Sequence, residues 1–255
     1  MSEPKWTEKQ VLRYERNTAL REIGVEGQQR LLGASALVVG AGGLGSAALF
    51  YLAASGVGRL GIVDAERVEL SNLNRQVLHR TEDVGRRKTE RAEEAIRALN
   101  PDCAVEPFPD SLSAANVRER LRGYDVVLDC TDNFPTRFLI SDACWLEGKP
   151  LVSAAVQRVE GRLLAVIPGK GHPCYRCLVP EPQPPQEKGI FGAVPGVMGT
   201  LEAMEAMKML LGIGEGLADR LLVYNGLKGT VRTVKRTCDP ACPLCGERPT
   251  ITDVS

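Results

Sequence analysis

Between residues 36 and 45 the sequence reads Ala36-Leu37-Val38-Val39-Gly40-Ala41-Gly42-Gly43-Leu44-Gly45. The apolar run at its start predicts a short buried strand, and the small apolar residues 46–54 predict a helix packed closely on a sheet. Gly40, Gly42 and Gly45 have the spacing of a phosphate-binding loop, in which glycines permit a tight turn and the helix N-terminus offers free N–H groups to an anion. Close packing alone is the alternative role for these glycines. We interpret the turn as a nucleotide site.

Strands and helices alternate on both sides of this turn. A helical pattern over residues 7–32, with Gly24 as its stop, precedes the first strand. Beyond the turn the pattern predicts strand 60–63, helix 86–99, strand 126–128, helix 136–146 and strand 151–153. Such alternation is typical of a Rossmann-like α/β fold with a doubly wound, largely parallel sheet. After Gly161 the pattern predicts strand 163–167, a proline-rich loop at 179–195, helix 199–211 and antiparallel strands near 221–224 and 230–234.

The composition restricts the class of protein. The 255 residues are 44% hydrophobic and 25% charged, which is typical of one globular domain, with or without a small appendage. The formal net charge is zero, which argues against nucleic acid or an anionic membrane as the main partner. The polar start excludes a signal peptide, and no apolar stretch reaches the roughly 18 residues of a membrane span. We expect a soluble, cytoplasmic protein.

The residues beyond the turn indicate which nucleotide binds. Asp64 ends the second predicted strand, 19 residues after Gly45, where it would accept hydrogen bonds from ribose hydroxyls. Hydride transfer needs little from a protein near the phosphates, whereas attack at a phosphate needs cations and a carboxylate that holds Mg²⁺. The side chains that meet this need are Arg75, Gln76, Lys88 and Asp132. The sequence therefore favours a nucleotide whose phosphates react.

Four of the eight cysteines form two Cys-x-x-Cys pairs, Cys174 with Cys177 and Cys242 with Cys245. Paired motifs of this kind, without a secretory signal, predict a metal site before they predict disulfides. Four thiolates suit a closed, tetrahedral Zn²⁺ site that would staple the C-terminal tail to the rest of the chain. Free or redox-active thiols are the alternative, and Cys238 is the nearest rival ligand. Cys130 and Cys144 lie in apolar segments and are interpreted as buried structural thiols.

The combination of motifs resembles the MoeB/ThiF/HesA family, bacterial adenylyltransferases related to ubiquitin-activating enzymes. The resemblance covers nearly the whole chain. It rests on Arg13-Tyr14-x-Arg16, the glycine loop, Asp64, Ser71-Asn72-Leu73-x-Arg75-Gln76, Lys88, Cys130-Thr131-Asp132-Asn133, Cys174-Tyr175-Arg176-Cys177, the segment 196–202 and Cys242-x-x-Cys245.

The resemblance implies a role for each matching position. ATP would be held by Gly40, Gly42, Gly43, Gly45 and Gln76, with Asp64 on its ribose and with Asn72, Arg75 and Lys88 on its phosphates. Asp132 would position Mg²⁺ and the attacking carboxylate. Arg16 would reach the triphosphate of the neighbouring subunit, so the active unit would be a homodimer. The family also binds zinc through the two cysteine pairs.

The implied reaction joins ATP to a small ubiquitin-like sulfur-carrier protein that ends in Gly-Gly. The C-terminal carboxylate of the carrier would attack the α-phosphate, giving an acyl-adenylate and pyrophosphate. A sulfur donor would then convert the adenylate to a thiocarboxylate. A carboxylate is a weak nucleophile, so neutralised phosphates and enforced proximity matter more than a general base.

The sequence departs from the family at the loop that crosses the active site. Many relatives carry a cysteine about eleven residues before the segment that begins at Gly196, where this chain has Pro185. No cysteine lies between Cys177 and Cys238. We therefore expect no covalent link between carrier and enzyme from this loop. The chain is also too short to add a rhodanese domain, so sulfur would come from a separate persulfide or sulfide donor.

We expect one domain over residues 1–255, with a helical arm at 1–33, an ATP-binding part at 34–160, and a part at 161–255 that binds zinc, crosses the active site and docks the carrier. A nicotinamide-dependent oxidoreductase would explain the glycine loop and Asp64 but would leave Arg16, Arg75, Lys88 and Asp132 without a role. Two further classes would share the fold: an adenylating enzyme for another acyl or peptide substrate, and an inactive scaffold. The complete set of nucleotide-site residues argues against the scaffold.

Overall fold

The computed structural model describes residues 6–169, 171–181 and 189–254. Their centre is a single eight-stranded sheet. The strands are β1 (Ser35–Val39), β2 (Arg59–Val63), β3 (Ala104–Phe108), β4 (Val126–Asp129), β5 (Leu151–Gln157), β6 (Glu160–Val166), β7 (Arg220–Asn225) and β8 (Thr230–Lys235). Their order across the sheet is β3-β2-β1-β4-β5-β6-β7-β8. The first five pair in parallel, and β6, β7 and β8 extend the sheet as antiparallel strands.

Helices cover both faces of the sheet, as a doubly wound topology requires. They are α1 (Glu8–Thr18), α2 (Gly24–Gly33), α3 (Gly43–Ala54), α4 (Lys88–Leu99), α5 (Val117–Arg122), α6 (Phe134–Leu146) and α7 (Ala193–Leu211). Residues of α3, α4 and α7 form one buried cluster with one face of the strands. Residues of α5 and α6 form the other, together with the cysteine-rich segments near positions 174 and 242. None of the described helices is long and apolar enough to cross a membrane.

These elements confirm the predicted α/β class with parallel strands followed by antiparallel ones. Several boundaries in the sequence prediction are wrong. The first helix ends at Thr18, not at Gly24, and Gly24, with φ +59°, instead begins α2. Helix α7 begins at Ala193, inside the segment predicted as loop. Strand β3 and helix α5 were missing from the prediction.

Helix α1 lies at the C-terminal end of α3. The buried Tyr14 hydroxyl accepts a 2.9 Å hydrogen bond from Asn100 Nδ2, which also donates to the carbonyl of Ala53. Asn17 donates to the carbonyl of Ser55, just beyond α3. The 12 residues of α3 span about 18 Å, so α1 is that far from the glycine loop at the other end.

Candidate nucleotide site and cysteine cluster

The glycine loop lies directly on the carboxyl ends of β2 and β4. Gly40 donates its N–H to the carbonyl of Val63 at 2.8 Å. Gly40 has φ +100°, and a Cβ there would lie 2.8 Å from the carbonyl oxygen of Cys130. A Cβ on Gly45 would collide with the carbonyl of Gly40. Only glycine fits these two positions, because the left-handed turn and the close approach of α3 leave no space for a side chain.

Asp64 joins the end of β2 to this loop. Its Oδ2 accepts from the N–H of Ala41 and its Oδ1 accepts from the N–H of Glu66, both at 2.8 Å. Burial raises the pKa of the Asp64 carboxyl, and the charge of Lys88 opposes this shift. Each carboxylate oxygen keeps a further lone pair for a ligand hydroxyl.

The segment after β2 folds back against the loop. Gln76 is buried with its Nε2 beside Gly42, and its Oε1 has no hydrogen-bond partner among the described residues. Arg75 lies against Gly43, and its Nη1 donates to the carbonyl of Ser71 and to Asn74 Oδ1. Asn72 is buried below them and holds the segment together, because its Oδ1 accepts from the N–H of Glu69 at 3.1 Å. No described acidic side chain forms an ion pair with Arg75.

Lys88 begins α4, and its side chain is buried under an exposed carboxylate. Its Nζ lies 2.5 Å from Glu66 Oε2, and the Glu66 side chain is 75% exposed while that of Lys88 is 3% exposed. A phosphate that approached Lys88 would therefore compete with Glu66 for its charge. The sequence indicated Lys88 as a candidate phosphate ligand but did not reveal its ion pair with Glu66.

Asp132 follows β4 at the same edge of the sheet. Its side chain is exposed and makes no hydrogen bond or ion pair with the described residues. The next residue, Asn133, caps α6, because its Oδ1 accepts from the N–H of Thr136 at 3.0 Å. Asp132 therefore lies just before the N-terminus of α6, two residues after Cys130, whose carbonyl packs against Gly40.

A buried network supports this strand end, and sequence reasoning missed it. Asp129 Oδ1 accepts from the N–H and the hydroxyl of Thr131, at 3.1 and 2.6 Å, and Asp129 Oδ2 accepts from the Ser153 hydroxyl at 2.7 Å. Arg137 Nη1 lies 3.5 Å from Asp129 Oδ2, and Arg137 Nη2 donates to the carbonyl of Thr131. The signal in the sequence was an arginine within an apolar helix, because a buried guanidinium requires a carboxylate partner.

A second buried acid lies beneath the loop on α7. The Cys130 thiol donates to Glu202 Oε2 at 3.3 Å, and both side chains are fully buried or nearly so. Burial, together with the nearby Asp129 charge, raises the pKa of Glu202 well above its usual range. Burial likewise raises the pKa of the Cys130 and Cys144 thiols, which fits the expected structural role of these cysteines.

Arg16 is not brought to this site within the chain. It lies exposed in the last turn of α1, which packs at the opposite end of α3.

The four paired cysteines are brought together from two distant segments. Their Sγ atoms all lie within 4.8 Å of one another, with separations of 3.9 Å for Cys174–Cys177, 3.5 Å for Cys174–Cys242 and 3.3 Å for Cys177–Cys245. A tetrahedral Zn²⁺ with bonds of about 2.3 Å would place its sulfurs about 3.8 Å apart, so the cluster fits zinc. Cys238 is exposed and lies outside the cluster.

Arg236 ties the backbone of the first cysteine pair to the end of β8. Its Nη2 donates to the carbonyls of Pro173 and Cys174, at 3.1 and 2.9 Å, and its Nη1 donates to the carbonyl of Ala165 at 3.0 Å. The position of Pro185, where the family's loop cysteine was sought, lies outside the described residues.

The ThiF family model matches residues 14–244. The chain belongs to the ThiF family. It is similar to the sulfur carrier protein adenylyltransferase of Thermus thermophilus, with 48% identity over 256 residues that cover 96% of this chain and 94% of that protein. It is also similar to the SAMP-activating enzyme E1 of Haloferax volcanii, with 48% identity over 244 residues that cover 93% and 90% of the two chains. Family and enzyme class are therefore as predicted, and this ThiF-family protein is an adenylyltransferase.

Among solved structures, the crystal structure of E. coli MccB with ATP has a TM-score of 0.76 at 23% identity, covering 92% of this chain and 74% of that one. This likeness confirms the ThiF-type fold.

Proposed function

We propose that this protein uses ATP to adenylate the C-terminal glycine carboxylate of a small ubiquitin-like sulfur-carrier protein. The proposal rests on the groups that meet at the carboxyl ends of the parallel strands. These are the backbone of the glycine loop, the basic side chains of Arg75 and Lys88, and the carboxylate of Asp132, which has no partner among the described residues. The names of the two relatives, one a sulfur carrier protein adenylyltransferase and the other a SAMP-activating E1, favour a protein carrier as the acceptor.

The site would bind ATP through charge and backbone amides. The N–H groups in the first turn of α3 lack intrahelical acceptors and would face the phosphates; Gly42 lies beside Gln76, and Gly43 lies beside Arg75 and Pro195. Arg75, Lys88 and Asn72 would hold the phosphates, and Asp64 and Gln76 would complete the nucleotide site. Neutralised phosphates let the weakly nucleophilic carrier carboxylate attack the α-phosphate, giving the acyl-adenylate and releasing pyrophosphate.

Asp132 would hold Mg²⁺ beside the phosphates. An exposed carboxylate without a protein partner suits a cation that prefers oxygen ligands and keeps several waters. The ion would supply charge for the developing pyrophosphate, and the same carboxylate would orient the carrier terminus.

Arg16 would act in the partner subunit of a homodimer. Its helix packs about 18 Å from the glycine loop of its own chain, so it would serve the neighbour's triphosphate.

The sulfur of a separate persulfide or sulfide donor would then displace AMP from the adenylate. Sulfide would give the thiocarboxylate directly, and a persulfide would give an acyl disulfide that a thiol reductant cleaves to the thiocarboxylate. No cysteine lies between Cys177 and Cys238, so the crossover loop would form no covalent link with the carrier.

Cys174, Cys177, Cys242 and Cys245 would hold a structural Zn²⁺, which would keep the C-terminal tail on the core. Metal analysis should find one zinc per chain in the native protein. Cys238→Ser should keep this zinc and Cys242→Ser should lose it, and zinc-free native protein would exclude the four-thiolate site.

Exchange between ATP and labelled pyrophosphate tests the proposed function. With a carrier that ends in Gly-Gly, exchange should appear, because only a reversible acyl-adenylate returns label to ATP. A carrier without its last glycine is the control and should give background exchange. Tight ATP binding with no exchange for any Gly-Gly carrier would contradict the proposal.

A further inference from the structure

A chain of buried contacts leads from the cysteine cluster to the residue before Asp132. It begins with Tyr175 and Arg176, which lie between the first two cluster cysteines. Both contact α6, the helix whose entrance carries Asp132.

Arg176 holds the middle of α6 through two kinds of contact. Its Nε and Nη2 donate to Asp142 Oδ1 and Oδ2, at 2.9 and 2.7 Å. Its guanidinium also lies 4.5 Å from the centre of the Phe138 ring. A bidentate pair of this kind fixes orientation as well as distance, so the cysteine turn cannot rotate freely against the helix.

Tyr175 holds the first turns of α6. Its buried ring packs edge-on against Phe138, with centroids 5.6 Å apart and an interplanar angle of 81°. Burial raises the pKa of its hydroxyl, and the charge of the nearby Arg137 guanidinium opposes this shift. Arg137 in turn donates to the carbonyl of Thr131, which is bonded covalently to Asp132.

Attachment of the cysteine turn to the sheet does not need these contacts. Arg236 already fixes the turn through the carbonyls of Pro173 and Cys174. The contacts of Tyr175 and Arg176 join the same turn to α6 as well.

We propose that Tyr175 and Arg176 are positioning residues, which transmit the rigidity of the cysteine cluster through α6 and Arg137 to Asp132. The catalytic consequence rests on the proposed function, while the mechanical link stands on contacts within the chain. The cluster therefore acts on the nucleotide site as well as on the C-terminal tail.

The test compares zinc-containing Tyr175→Phe protein with wild type. This variant keeps the ring and removes the hydroxyl that meets Arg137. Amide hydrogen exchange of residues 131–137 should become about tenfold faster, because a polar contact with the buried Arg137 guanidinium is lost from their support. In pyrophosphate exchange, kcat should fall about tenfold while the KM for ATP stays within about twofold, because the nucleotide ligands themselves are unchanged.

Tyr124→Phe is the matched control. Tyr124 is also buried, and its hydroxyl donates to Glu106 Oε2 at 2.5 Å, away from α6. It should leave the exchange of residues 131–137 and the kinetic constants unchanged. Asp142→Asn weakens the contact of Arg176 with α6 without a substitution in the cysteine turn itself, and it should shift both readouts as Tyr175→Phe does. If Tyr175→Phe does not fold, Asp142→Asn tests the link between the cysteine turn and α6 in its place.

Wild-type amide exchange at 131–137 in Tyr175→Phe, or in Asp142→Asn as its substitute, would overturn the proposal, as would equal loosening by Tyr124→Phe. If wild-type protein shows no pyrophosphate exchange with any carrier, the proposed function fails and the amide exchange still decides the link.

Discussion

At the carboxyl end of β4, Asp132 is an exposed carboxylate that no described side chain engages. Asp132→Ala should leave the free energy of unfolding within about 0.5 kcal/mol of wild type, because no folded contact depends on it. Pyrophosphate exchange should fall at least about a hundredfold, because the phosphates lose the carboxylate that would hold Mg²⁺. Asp102→Ala is the control and should leave both stability and exchange rate unchanged. Asp102 is an exposed carboxylate just before β3, at the amino ends of the parallel strands. Wild-type exchange in Asp132→Ala would remove this residue from the mechanism.

Lys88 carries a buried charge whose described carboxylate partner is the exposed Glu66. Lys88→Met should lower kcat/KM for ATP about a hundredfold, because the proposed phosphate ligand is lost. Glu66→Gln breaks the same ion pair and keeps the cation, so it should leave kcat/KM within a factor of about ten. Steady-state kinetics of the two variants measure this difference. Equal losses would show that the ion pair, not the phosphate contact, matters.

The candidate site residues that follow the strands were predictable from the sequence. Asp64 and Asp132 directly follow apolar runs, and the carboxyl ends of parallel strands share one edge of the sheet. The partners beneath them were not predictable, because no spacing rule says that Arg137 compensates Asp129 or that Cys130 meets Glu202. Such pairs depend on which helix covers which strand, and that is decided by the packing of the whole fold.

Helix α7 carries a buried acid that makes stability depend on pH. Burial raises the pKa of Glu202, so the folded protein keeps a proton that the unfolded chain releases near 4.5. Its contribution to stability is complete below this value and is lost as the pH rises toward the folded pKa. Glu202→Gln removes this titration, so the free energy of unfolding of the variant should rise relative to that of wild type as the pH increases above about 4.5, by up to about 1.4 kcal/mol per pH unit.

Chemical denaturation across this pH range measures the difference. Glu205→Gln, one turn further along α7, is the control: it should destabilise the protein, because Lys208 loses its ion-pair partner. A difference between Glu202→Gln and wild type that stays constant with pH would show that Glu202 is ionised in the folded protein.

The elements that the sequence did not reveal share a physical cause. Strand β3 contains Glu106 and Pro107 and lies at the sheet edge, where proline is tolerated and no apolar run is needed. Helix α5 has only six residues, four of them charged, so its period is hard to detect. Helix α7 starts just before Pro195, because proline is compatible with a first helical turn although it resembles a loop signal in sequence.

The proposed role of Arg16, together with the distance between α1 and the glycine loop of the same chain, predicts an active site shared between two subunits. Arg16→Ala and Asp132→Ala proteins, as the proposed homodimers, should each be inactive. Mixed under conditions of proven subunit exchange, they should recover up to about a quarter of wild-type activity, because half the dimers are hybrids and each hybrid carries one intact site. Pyrophosphate exchange of the mixture measures this recovery. No recovery would count against an arginine that acts in trans.

The proposed function requires that the adenylyl group of ATP is transferred to the carrier's C-terminal carboxylate. Intact-protein mass spectrometry of a Gly-Gly carrier, incubated with this enzyme, ATP and Mg²⁺ and quenched in acid, detects this transfer. The carrier should become heavier by one adenylyl group, located on its last glycine, and should stay unmodified with Asp132→Ala enzyme. An unmodified carrier, while the enzyme binds ATP and consumes it with another acyl substrate, would rule out carrier adenylation.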